Sequence, residues 1–328
     1  MKSVILFLLL FISNIVYSQD TDYKISKRNK RFINEVSKII KENSLFSDSL
    51  NWNLIAEELV TLPLEKNESI DYTIVFEYFT KRLRIAGDKH SLFLTQESIN
   101  FYTPKNSEPK QPESEYLGNG IGLIKIPKCM TFSNTKDREF ANSIRYQLRT
   151  LDTQNEIIGW VVDLRNNGGG NMWPMIAGLN ALMEDGIIGY KVGTPNNKGI
   201  VWKTENGKIN FSKEYTDTYK VKKLNTKIAV LIDSTTASSG EMTAITFIGL
   251  PNVKVFGQPS AGYTTTNSTF NLSDGTQLFL ATNFVADRTG KLYPDKIIPD
   301  EFTNTKSKFG NNETIELAKK WLLQTDKK

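Results

Sequence analysis

Residues 228–249, IAVLIDSTTASSGEMTAITFIG, run from an apolar strand to a helix through a turn crowded with hydroxyl side chains. Ile228 to Ile232 is a continuous apolar run, as in a strand buried on both faces. Residues 239–249 carry a helical pattern. Between them stand Ser234, Thr235, Thr236, Ser238 and Ser239, followed by Gly240 and Glu241. Two readings are open at this point. Ser and Thr are ordinary helix N-caps. A Ser at such a turn also lies beside the unsatisfied N–H groups and positive end of the helix, where an acyl-transfer oxyanion is stabilised.

The surrounding chain repeats the strand–helix alternation. GIGLIKI begins a strand after Gly118, and Phe140, Ile144, Leu148 and Leu151 mark a helix over 135–152. IIGWVVDL, 157–164, is a second continuous apolar strand, followed by a helix over 173–184. VKVFG, 253–257, is another strand. This order predicts an α/β fold: a mixed sheet core with crossover helices. Residues 187–220 and 268–284 read as added hairpins, and NNETIELAKKWLLQ as a terminal helix.

Upstream the pattern is helical. Phe32, Ile33, Val36, Ile39 and Ile40 share one face of a helix over 25–43, and residues 52–62 and 68–85 read similarly. A small N-terminal helical domain over 19–98 is expected. A proline-rich, charged linker over 99–117 and an α/β core over 118–328 follow it. Residues 1–18 carry Lys2, an apolar run and Ser18 at a small-residue cleavage site, so they read as a secretory signal peptide. The run is shorter than the ~20 residues of a membrane span. The expected product is exported, periplasmic or extracellular, with no stable membrane insertion after cleavage.

Removing that segment removes Lys2 and no acid, so the formal charge falls from +5 to +4, too mild and dispersed for a nucleic-acid partner. The single cysteine, Cys129, has no internal disulfide partner and reads as a structural thiol. One histidine and one cysteine, far apart, make no metal cluster, so neither metal nor organic cofactor is expected.

In an open α/β sheet, function lies beyond the carboxyl ends of strands. One such end carries the serines; another carries VVDLRNNGGGNMWP, 161–174. Its three glycines allow close backbone approach and inward-turned N–H groups, and they match neither a dinucleotide nor a phosphate loop. A nucleophilic Ser needs a base, and the chain holds one histidine, His90, in the polar turn GDKHS, 87–91.

Taken together, these segments resemble the carboxyl-terminal-processing serine peptidases, the superfamily that includes tricorn protease and interphotoreceptor retinoid-binding protein. DLRNNGGG (163–170) is similar to its D-L-R-x-N-x-G-G element, and TASSGE (236–241) to T-x-S-x-x-E. GQPSAGYTTTN (257–267) is similar to the following G-x-x-T-x-G segment, and KIIPDE (296–301) to the closing G-[VI]-x-P-D. GDKHS resembles the D-x-H-[ST] element of the branch without a catalytic lysine.

The resemblance implies a ClpP/crotonase-like core and an exported serine peptidase acting on peptide or protein substrates. It implies Ser238 as nucleophile, His90 as base, and the N–H groups of Gly169 and Ser239 as oxyanion hole. Two departures stand out. Gly262–Tyr263 occupies the place of the glycine–lysine pair of the lysine-dependent branch, and residues 99–117 are too short for a PDZ module. The orienting acid stays open among Glu241, Asp287, Asp295 and Asp88. Rival readings on the same fold are a non-catalytic binder of apolar ligands or peptides, its crevice lined by Trp160, Trp173 and Phe270, and an esterase or amidase of non-peptide substrates.

Overall fold

The computed structural model describes residues 26–64, 72–98, 110–130, 133–193, 199–210, 215, 217–303 and 310–325. The expected signal peptide and most of the expected linker lie outside them.

Three helices come first: α1 (Lys27–Asn43), α2 (Trp52–Leu59) and α3 (Thr73–Ile85). Ser26 caps α1 by accepting the Asn29 N–H, and α1 buries Phe32, Ile33, Val36 and Ile40, the stripe expected from its spacing. After β1 (Leu92–Leu94) come β2 (Glu113–Tyr116), β3 (Ile121–Lys125), α4 (Asn134–Gln154), β4 (Gly159–Asp163) and α5 (Met172–Leu179). The hairpin strands β5 (Gly186–Gly193), β6 (Ile200–Glu205) and β7 (Lys208–Ile209) lead to β8 (Lys227–Ile232), α6 (Ser239–Ile245) and β9 (Val253–Gly257). The chain continues with β10 (Thr265–Asn271), β11 (Gln277–Ala286), β12 (Leu292–Tyr293), β13 (Glu301–Phe302) and α7 (Gly310–Leu322).

The mixed α/β architecture takes the form of two sheets. One runs β13-β9-β8-β4-β3-β2, and all its pairings are parallel except the antiparallel edge pair β2–β3. Its apolar runs fill both faces. Ile124, Val162, Val230 and Val255 join residues of α4, α5 and α6 in the largest core. Leu123, Val161, Ala229 and Phe256 pack on the other side with Ala318 and Leu322 of α7. The second sheet is built on antiparallel pairings, and its long strand β11 pairs with β1, β5, β10 and β12.

Two expectations change. Glu113–Tyr116, read as linker, is an edge strand; its charged, largely exposed residues carry no apolar signal, as suits an edge. The N-terminal helices share their core with Leu272, Leu278 and Leu280, the last two from β11, so the helical region is packed onto the second sheet. No helix among the described residues is long and apolar enough to cross a membrane.

Candidate active site

β4 and β8 are parallel neighbours in a register that sets Asp163 opposite Leu231, so the glycine and serine loops leave the same end of the sheet side by side. Hydrogen bonds stitch the two loops together. Thr236 Oγ1 donates to the Leu164 carbonyl (2.9 Å), and Ser239 Oγ donates to the Gly170 carbonyl (2.5 Å). The Thr235 hydroxyl is held by Asp233, whose carboxylate also accepts the Thr235, Thr236 and Asn166 N–H groups. The crowded hydroxyls are therefore largely construction: they fix the turn around Ser238.

Asn167, fully buried, joins the loops at their centre. Its Nδ2 donates to the Ile126 and Pro127 carbonyls (3.0 and 3.2 Å), and its own carbonyl accepts the Ala237 N–H (3.0 Å). Its Oδ1 accepts the Gly169 N–H at 3.0 Å.

Ser238 is the N-cap of α6, with φ +51° and ψ −118°, a conformation that non-glycine residues rarely adopt. Gly169, at φ +102°, lies directly against it. A Cβ on Gly169 would sit 3.0 Å from Ser238 Cβ and from the Ala237 carbonyl, and 3.2 Å from Ser239 N. Only a glycine lets the two loops approach this closely.

His90 is half-buried on the turn after α3. Its Nδ1 lies 2.8 Å from the Thr265 carbonyl and 3.1 Å from Thr265 Oγ1. A carbonyl can only accept, so Nδ1 carries the proton of the neutral ring and Nε2 keeps its lone pair, the state a base requires. Burial lowers the imidazole pKa below its ordinary value; the Thr265 carbonyl and the charge of Asp88 oppose that shift. The Tyr263 ring meets the imidazole edge-on, with centroids 5.5 Å apart.

A strained serine packed on a glycine loop and a histidine whose Nδ1 is held by a carbonyl are residue types that acyl transfer uses. The chain matches the model of peptidase family S41 over residues 120–302. It is 35% identical over 288 residues to a nisin-resistance protein of Lactococcus lactis subsp. lactis, covering 86% of each chain. The chain belongs to peptidase family S41. It is also 24% identical over 236 residues to the chloroplastic carboxyl-terminal-processing peptidase 2 of Arabidopsis thaliana, covering 69% of this chain and 41% of that one. Among solved structures, a lipoprotein from Streptococcus agalactiae aligns with TM-score 0.72 and 28% identity, over 92% of this chain and 98% of that one. The photosystem II D1 C-terminal processing protease aligns with TM-score 0.61 at 12% identity, over 89% and 97%, a likeness of fold.

Within this S41 chain, none of the four acids considered from sequence hydrogen-bonds the imidazole among the described residues. Glu241, fully buried, accepts four donors: Ser238 N–H and Tyr263 N–H on Oε2 (both 2.8 Å), and Gly262 N–H (2.8 Å) and Ser260 Oγ (2.5 Å) on Oε1. Burial raises its pKa, against the pull of those donors. Asp287 closes its own turn, accepting from Thr289 N–H and Oγ1, Lys291 N–H and Tyr293 Oη. Burial would raise its pKa, but those donors outweigh it and hold the carboxyl below its ordinary range. Asp295 pairs with Lys89 at the surface (2.9 Å). The Asp88 carboxylate accepts main-chain N–H groups of its own turn.

One further reading is corrected, that of the apolar crevice, and the glycine loop adds a contact of its own. The Gly169 N–H donates to Asn167 Oδ1, and Gly169 meets Ser238 by close packing. Trp160 is buried in the main core against Gly122, and Phe270 packs on the helical cluster, so neither lines an open crevice. Asn167 and Thr265 are the residues that sequence reasoning missed. The second Asn of NNGGG was a visible clue to the first; nothing in the sequence signals that the Thr265 carbonyl holds His90.

Proposed function

We propose that the protein is an exported serine peptidase in which Ser238 is the nucleophile and His90 the base. The observation that carries this reading is the strained Ser238, at φ +51°, pressed against Gly169 at the mouth of two stitched loops. Strain of about 1–3 kcal/mol at one residue persists only where the surroundings impose it, and it gathers at functional sites.

In this mechanism Ser238 Oγ attacks the peptide carbonyl carbon while His90 Nε2 takes the hydroxyl proton. The imidazolium, steadied by its Nδ1–H bond to Thr265, gives that proton to the leaving amine. Water then attacks the acyl-enzyme, with Nε2 accepting its proton and returning one to Ser238. The Ser239 N–H, at the first turn of α6, is one oxyanion donor, and an N–H of the glycine loop around Gly169 is the second. The absence of a lysine at Gly262–Tyr263 fits a histidine base.

Peptide substrates follow from the family, and the relationship to a nisin-resistance protein makes nisin the first peptide to test. Incubation of the protein with nisin and with an unrelated peptide mixture, read by mass spectrometry, tests the reading. Defined cleavage products that vanish in Ser238→Ala support it. Intact peptides together with rapid hydrolysis of a simple ester would replace it with an esterase.

A further inference from the structure

We propose that Asp88 is the positioning residue that aims His90, and that it acts through the main chain. The inference rests on the peptidase reading for its consequence in catalysis but not for its geometry. α3 ends at Ile85, Gly87 with a φ of +103° turns the chain, and the Asp88 N–H returns to the Leu83 carbonyl. From there the Asp88 side chain, 1% exposed, points into its own turn. Oδ1 accepts the N–H of His90 (2.8 Å) and of Ser91 (2.9 Å), and Oδ2 accepts the Ser91 hydroxyl (2.5 Å).

The turn is anchored on both sides. Ser91 Oγ accepts the Ala281 N–H at 2.8 Å, which fixes it to β11. The Arg84 guanidinium, from the last turn of α3, donates to the carbonyls of Asp88 (2.9 Å) and Ser91 (3.3 Å). The Asn267 side-chain amide donates to the His90 carbonyl at 3.1 Å. The main chain of His90 is thereby fixed before and after its Cα, and from there its Nδ1 meets Thr265. In a Ser–His–Asp arrangement the carboxylate touches the imidazole. Here the carboxylate holds the backbone of the histidine, and a carbonyl holds the ring.

The chain has a single histidine, so one imidazole reports on the arrangement without interference. The experiment compares the tag-free wild-type chain with Asp88→Ala, Asp88→Asn and Ser91→Ala by nitrogen NMR of that imidazole and by peptide kcat/KM. Wild type is expected to show the Nδ1–H tautomer. Asp88→Ala, which removes all three acceptor contacts, is expected to average the tautomers and to lower kcat/KM on the order of 10²-fold, as for a misplaced catalytic group. Asp88→Asn keeps an oxygen for the two N–H groups and is expected to keep the tautomer and most of kcat/KM.

If Asp88→Ala fails to fold, Ser91→Ala carries the test, with partial tautomer averaging expected. Two results overturn the proposal. One is an unchanged tautomer and rate in the alanine variants. The other is an Asp88→Asn variant as slow as Asp88→Ala with the Nδ1–H tautomer retained, which would mean that the carboxylate charge acts on the ring directly. The tautomer pattern alone confirms the positioning even in a protein that cuts no peptide, and that combination would overturn only the peptidase reading.

Discussion

The carboxylate of Glu241 accepts the main-chain N–H of Ser238 at 2.8 Å, and the same oxygen accepts the N–H of Tyr263 at 2.8 Å. One buried side chain thus joins the Ser238 turn to the segment that leads, two residues later, to the Thr265 carbonyl holding His90.

Each Glu241 oxygen faces two donors, so an amide in its place must point its NH2 at donors whichever way it turns. Glu241→Gln is expected to lose about 2–4 kcal/mol of stability, the scale of a broken charged hydrogen bond plus a buried unsatisfied donor. Its Ser238 should react more slowly with a fluorophosphonate. Denaturant unfolding and labelling rate check this; a variant as stable and as reactive as wild type would show that the four bonds do not hold the site.

Ser238 supplies a second prediction. Its φ of +51° suits glycine and strains any side chain. Ser238→Ala and Ser238→Gly are both expected to lack activity. The glycine variant should be the more stable by about 1 kcal/mol, because relief of backbone strain exceeds the entropy cost of glycine. Thermal unfolding of the pair measures it, and a less stable glycine variant would deny the strain.

An unperturbed imidazole titrates near ~6.5. Partial burial pushes the His90 ring lower. The neutral ring is the base, so kcat/KM should rise with pH through a limb below ~6.5 and stay flat above it. Stability follows the same sign. The unfolded chain takes the proton first, so the contribution of His90 is full above ~6.5 and is lost as pH falls through the folded value. An NMR titration of the single histidine beside a pH–rate profile tests both, and a rate limb above ~6.5 would point to another base.

Gly169, expected from the sequence as an oxyanion donor, also packs closely on the serine turn. An added Cβ would meet the Ala237 carbonyl and Ser238 Cβ at 3.0 Å, at a φ of +102° that side chains avoid. Gly169→Ala should therefore displace the serine turn, costing about 1–3 kcal/mol of stability and on the order of 10²-fold in turnover. An alanine variant with wild-type stability and rate would remove the close packing from the account.

Periodic and clustered features were legible in the sequence. The buried strand Lys227–Ile232, the helix stripe through Phe32 and Ile40 and the hydroxyl turn before Glu241 each announce themselves within a few residues. The helix after Ser238 was read as running to 249 but ends at Ile245, because a short apolar run does not mark its own last turn. Long-range hydrogen bonds were not legible. Asp287 resembled a site acid by its place in the chain, yet its donors are all within six residues of it. Asn167 and Thr265 matter for bonds to segments about 40 and 175 residues away, which spacing cannot show. Edge strand Glu113–Tyr116 was hidden by the charges that protect it.

The central claim is that Ser238 attacks and His90 activates it. Its most direct measurement is to treat the protein with a fluorophosphonate, map the adduct by peptide mass spectrometry, and repeat the reaction with His90→Ala. The account predicts a single adduct on Ser238 in the wild-type chain, formed at least on the order of 10²-fold more slowly without the imidazole. An adduct on Ser239 or Ser234 with Ser238 unmodified, or labelling of Ser238 at the same rate in His90→Ala, would contradict it.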